Sequence, residues 1–96
     1  MLRASGFWAL VVADLPSKSA LAQALSAAGS AHHDYERTAL KGARDDLWPG
    51  FYAAFVLGRL GDVAPASRLA ALLEEVDVPA HWSEAAAEHV LINLRS

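Results

Sequence analysis

The chain contains no cysteine, so disulfides and thiolate chemistry are excluded and the redox compartment stays open. It also lacks a long hydrophobic run. The longest, residues 7–13 (FWALVVA), falls far short of the ~20 residues that a spanning helix needs. Positive charge is scarce as well. Lys and Arg number 8 against 11 Asp and Glu, a net charge of −3, with a pI near 5.7. That balance argues against nucleic acid, whose non-specific binding rests on neutralising phosphates, and against an anionic membrane surface. Aromatics make up only 8% of the residues. No serine stands in a nucleophile-elbow setting, and no glycine-rich phosphate loop occurs.

What is present is alanine and leucine at helical spacing. The hydrophobic share is 54% over 96 residues, about one ordinary domain with a modest core. Alanine forms helix readily but buries little area, and small domains of this kind often gain stability by self-association. A homodimer is therefore the default expectation. A signal peptide, with Arg3 as its charged end and Ala20-Leu21-Ala22 as its cleavage site, is interrupted by Asp14 and Pro16. The expected location is cytoplasmic.

The expected fold class is all-α, a small four-helix bundle-like single domain over residues 1–96 with a long first helix. Residues 1–15 read as a short helix or an extended arm packing on a neighbour. No second apolar run is available to pair with them as a strand. Ser17 is a plausible N-cap for a helix over 18–41, in which Leu21, Leu25, Ala28, His32, Tyr35 and Ala39 form one stripe. Gly42 is the expected residue past its end. A second helix over 49–60, capped by Asp45 or Asp46, is apolar on nearly every face and so reads as the centre of the bundle or of an interface. Gly58 within it would allow close helix approach. A third helix over 65–76 has Leu69, Leu72, Leu73 and Val76 as its core stripe. A fourth, over 83–95, has Ser83 as its cap, Trp82 stapled on Ala87, and Val90, Leu91 and Leu94 facing inward.

The chemistry concentrates in residues 31–54. His32 and Glu36 lie four apart and His33 and Glu36 three apart, so either pair can share a ligand on a helix. A metal site needs three or four donors, and the remainder would have to come from Asp45, Asp46, His81, Glu84, Glu88 or His89, none at a recognisable spacing. The plainer reading is preferred: His32 is a hydrogen-bonded core-edge histidine, and His33 with Glu36 a solvated pair. Asp45, Asp46, Trp48 and Tyr52 form a second cluster. It reads either as a polar-mouthed ligand pocket or, more simply, as helix caps and loop anchors. His81 and His89, eight apart, cannot share a ligand on one turn. The last two helices do not make a DNA reader, since Glu84 and Glu88 would repel phosphates.

The strings His32-His33-Asp34-Tyr35-Glu36, Asp45-Asp46-Leu47-Trp48-Pro49-Gly50-Phe51-Tyr52-Ala53 and Leu57-Gly58-Arg59-Leu60-Gly61 carry a resemblance. They resemble stretches of small, uncharacterised bacterial proteins with the pattern H-x-x-Y-E followed by D-x-x-W-P-x-x-Y-A. The resemblance covers about a third of the chain and implies a helical domain, with no activity attached. The functional expectation is a non-enzymatic interaction or small-ligand-binding domain. Its candidate site is His32, Tyr35, Glu36, Asp45, Trp48 and Tyr52, with no cofactor and no metal. The alternative is a metal-dependent or acid-base enzyme using His32, His33 and Glu36 with Asp45 or Asp46.

Overall fold

A computed structural model describes residues 15–95 of the chain. The arm expected over residues 1–15 lies, apart from Leu15, outside the described residues. These form four helices and no strand: α1 (Lys18–Thr38), α2 (Trp48–Leu60), α3 (Ala66–Glu74) and α4 (Trp82–Arg95). The protein is all-α. Each helix packs on two others in a closed ring, α1 on α2 and α4, and α3 on α2 and α4.

Helix α1 starts where the sequence places it. Ser17 is the N-cap, and its hydroxyl accepts the Ala20 amide at 3.0 Å. The helix ends at Thr38, three residues short of the expected position. Lys41 and Gly42 both take left-handed backbone, with φ of 55° and 90°, so the chain turns out of the helix before the glycine. The Gly42 amide then donates to the Glu36 carbonyl at 2.7 Å and closes the turn. The expected stripe is buried from Leu21 through Leu25 and Ala28 to His32, whereas Tyr35 and Ala39 emerge to solvent.

Helix α2 has Pro in its first turn, but its cap position is taken by Leu47 rather than an aspartate. The described residues cover only part of its surface. Pro49, Ala53 and Val56 face the core, while Gly50, Ala54, Gly58 and Arg59 are exposed. Among the described residues, α2 packs along α1 and α3 and meets α4 through the Trp82 ring. Among the described residues, no atom approaches within 4 Å of where a Gly58 Cβ would sit, so this glycine serves no close approach between the described helices.

Helix α3 starts one residue later and ends two residues earlier than expected, and it buries Leu69, Leu72 and Leu73. Val76 falls in the connection to α4. Helix α4 begins at Trp82, so Ser83 lies inside its first turn rather than at the cap. It contributes Ala86, Ala87, Val90 and Leu91 to the core. These residues meet Leu21, Leu25, Val56 and Leu69, all essentially inaccessible to solvent. Truncating one such leucine to alanine costs about 2–5 kcal/mol, a large part of a small domain's stability. Among the described residues, no helix is long and apolar enough to cross a membrane.

Candidate functional site

Three of the polar residues singled out in the sequence meet at the end of α1. His32 is 7% exposed, and its Nε2 lies 3.0 Å from Asp45 Oδ2. Glu36, one turn on, accepts the Asp45 backbone amide at 2.7 Å through Oε2. Asp45 Oδ1 in turn accepts the Leu47 amide at 3.0 Å, just ahead of α2. The α1–α2 connection is thus clasped by side chains whose polar atoms are engaged with one another and with the loop backbone. The hydrogen bond from His32, then that from Leu47, holds the Asp45 carboxyl below the usual carboxylate range. An ionised carboxylate only accepts, so His32 Nε2 carries the proton of their shared bond.

The other proposed donors stay apart. His33 faces solvent on a different side of α1, and Asp46 pairs with Arg44 at 3.3 Å on the open surface. Glu36 Oε2 stands 4.0 Å from His32 Nε2, beyond hydrogen-bond range. Among the described residues, no group of three or more His, Asp or Glu side chains is disposed to hold a metal ion. His89 bonds Glu75 at 2.7 Å, tying α4 to the end of α3.

The aromatic residues divide into two neighbouring sets. Tyr35 and Phe51 meet at 5.3 Å with their rings tilted by 34°, and Phe51 meets the His32 ring edge-on at 4.9 Å. Trp48, Tyr52 and Trp82 form a triangle of edge-to-face contacts, with centroids 5.2, 5.6 and 5.8 Å apart. Edge-to-face pairs add about 0.5–1.5 kcal/mol beyond their area burial. Trp82 is fixed further by its indole N–H, which donates to the Val76 carbonyl at 2.9 Å. This bond spans the α3–α4 connection. Trp82 therefore packs across to α2.

The aromatic triangle borders a groove between α1 and α4. One section, of about 730 Å³, is lined by α1 residues Lys18, Ala22 and Gln23 and by His81, Trp82 and Glu84. A second, of about 480 Å³, continues along α1 past Gly29, Ser30 and His33 and reaches Tyr52. Ser26, Trp82 and Ser83 belong to both. The Tyr52 hydroxyl comes so close to α1 that a Cβ on Gly29 would lie 3.2 Å from it. Burial, together with the charge of Glu36, pushes the Tyr52 phenol up, so it stays a neutral donor at the groove. His81 at the rim holds a left-handed backbone, φ 55°, where the chain enters α4.

Of the six candidates, His32, Glu36 and Asp45 form the clasp, Tyr35 packs on Phe51 outside it, Trp48 supports the triangle, and Tyr52 reaches the groove. Trp82, Ser26, Ser30 and Ser83 were not among them. A signal for the serines exists: Ser19, Gln23, Ser26, Ser30 and His33 fall at spacings of four, three, four and three, a polar stripe in an alanine-rich helix. The fold and site together define a small all-α domain with a mixed polar and aromatic groove. No known family model, curated protein or solved structure matches the chain.

Proposed function

We propose that this is a non-enzymatic binding domain whose α1–α4 groove takes a small organic ligand, in a cytoplasmic setting. The observation that carries the reading is the groove itself. It combines an apolar section, from Ala22 and the Trp82 ring, with the neutral hydrogen-bonding groups of Gln23, Ser26, Ser30, Ser83 and Tyr52. Ligand sites are typically concave, largely apolar and furnished with a few placed polar groups, and this one has the volume for a drug-sized molecule. Tyr52 makes no hydrogen bond within the described residues, so its hydroxyl is available to a ligand.

A binding role fits the clasp better than catalysis does. A general base must reach the proton that it removes, and Asp45 already accepts from His32 Nε2 and the Leu47 amide. Glu36 is likewise held by the Asp45 amide. In this reading the clasp sets the α1–α2 angle and hence the place of Tyr52, while the groove does the binding.

The test is a ligand-observed NMR fragment screen on the wild-type protein and on Ser26→Tyr. Ser26 is exposed and lines both sections of the groove, so the larger ring fills it without touching the core. The expected result is a set of hits lost in Ser26→Tyr while the circular dichroism spectrum is unchanged. Hits that bind both proteins equally, or no hits at all, would remove the basis for the reading.

A further inference from the structure

The outward face of α2 lies on the other side of the helix from its core contacts, and the groove does not use it. From Leu47 to Gly58 the chain carries no charge. By helical position Leu47, Phe51, Ala54 and Gly58 lie opposite the buried Pro49, Ala53 and Val56, flanked by Gly50 and Phe55; Leu47, Gly50, Ala54 and Gly58 are exposed, while Phe51 and Phe55 are half-buried, Phe51 with part of its ring against His32 and Tyr35. Leu47 is 79% exposed. Among the described residues, nothing else lies within 4 Å of a Cβ built on Gly50 or Gly58. An apolar helix face of this length is unusual on a lone domain.

We infer that this face is covered by α2 of a second copy of the chain, running antiparallel about a two-fold axis at the level of Tyr52 and Ala53. The order of residues supports this occupant. The outward stripe is spaced four, three and four, which reads the same in both directions, and its large residues stand in one half and its small ones in the other. Antiparallel pairing sets Leu47 against the partner's Gly58, Phe51 against the partner's Ala54, and Gly50 against the partner's Phe55. Large then meets small at every step, and the two-fold repeats each contact.

The charges bordering the stripe obey the same symmetry. Asp46 precedes it and Arg59 follows it, and the pairing that matches large to small sets Asp46 opposite the partner's Arg59. One residue out of that register, Arg44 comes opposite the partner's Asp62. Arg59 and Asp62 are exposed and make no ion pair with another described residue. Asp46 and Arg44 meet only each other, at the surface. Opposite charges at both ends fix the antiparallel orientation and disfavour the parallel one.

A helix of 13 residues is about 20 Å long and covers on the order of 400 Å² per chain, at the low end for a specific interface. The dimer is therefore reversible, with a dissociation constant on the order of 10–100 µM. Sedimentation equilibrium of the full chain from about 5 µM to about 1 mM tests this. The expected result is a monomer–dimer equilibrium that Ala54→Arg abolishes, its charge landing at the centre of an exposed face and leaving the fold intact. Asp46→Arg or Arg59→Asp alone should weaken association by about tenfold or more, and the double variant should restore it. A wild-type chain that stays monomeric throughout, or a dimer indifferent to Ala54→Arg, overturns the proposal. Failure of the double variant to restore association overturns the antiparallel pairing.

Discussion

Replacing Trp82 by phenylalanine keeps an aromatic ring in the triangle but removes the indole N–H and the outer ring. The lost hydrogen bond to the Val76 carbonyl, 2.9 Å long, contributes about 1 kcal/mol. Removing part of a half-buried indole exposes about 40 Å² of apolar surface elsewhere in the triangle, or ~1 kcal/mol at 25 cal/mol per Å². Weakened edge contacts with Trp48 and Tyr52 bring the total to about 2–3 kcal/mol. For a domain of this size that is a fall in melting temperature of roughly 10–20 °C. Urea unfolding followed by far-ultraviolet circular dichroism measures it without relying on tryptophan emission. Trp48→Phe is the internal comparison. Trp48 shares the triangle but makes no side-chain hydrogen bond with a described residue, so its loss should be smaller by about 1 kcal/mol. A Trp82→Phe cost below about 0.5 kcal/mol, or one no larger than that of Trp48→Phe, would refute the idea that the indole fastens the α3–α4 connection.

Two further outcomes follow from the clasp and the groove. His32, then Leu47, holds Asp45 below the usual carboxylate range, so the folded protein binds that proton less tightly than the unfolded chain does. The stability this provides is fully present above the unfolded value and is lost as pH falls through the folded one. Asp45→Asn should therefore be less stable than wild type at neutral pH, with the gap closing in acid, and equal pH profiles for the two would exclude the clasp. At Gly29, a Cβ would already stand 3.2 Å from the Tyr52 hydroxyl, whose ring is held by Trp48 and Trp82. Valine adds two further methyl groups to a crowded spot, so Gly29→Val should cost about 1–3 kcal/mol despite glycine's poor helix propensity. Thermal unfolding of that variant at or above the wild-type temperature would show that Tyr52 yields without cost.

The helices were legible because each depends on local pattern. The Leu21-Leu25-Ala28-His32 stripe marks α1, Ser17 its start, and Leu69-Leu72-Leu73 the buried face of α3. Ends were less so. Nothing in the sequence says that Lys41 takes left-handed backbone ahead of Gly42, and that turn decides where Glu36 finds the Asp45 amide. The spacing of four between His32 and Glu36 announces a pair on one face. It does not reveal that Asp45, from the far side of the loop, bonds the histidine instead. The exposed face of α2 is hidden from the sequence for a similar reason. An uncharged helix implies burial, but only the packing shows which side the chain itself covers. Trp82 joins the groove through contacts 30 or more residues away in sequence, with Tyr52 and Trp48, and no local pattern carries that.

The most direct test of the proposed groove is a ¹⁵N-resolved NMR titration with the tightest fragment that binds. The account predicts that the Trp82 indole N–H signal and the amides of Ser26, Gly29 and Ser83 move together and saturate with one affinity. Shifts centred on the His32–Asp45 clasp, or on the Gly50–Gly58 face of α2, would place binding elsewhere and contradict it.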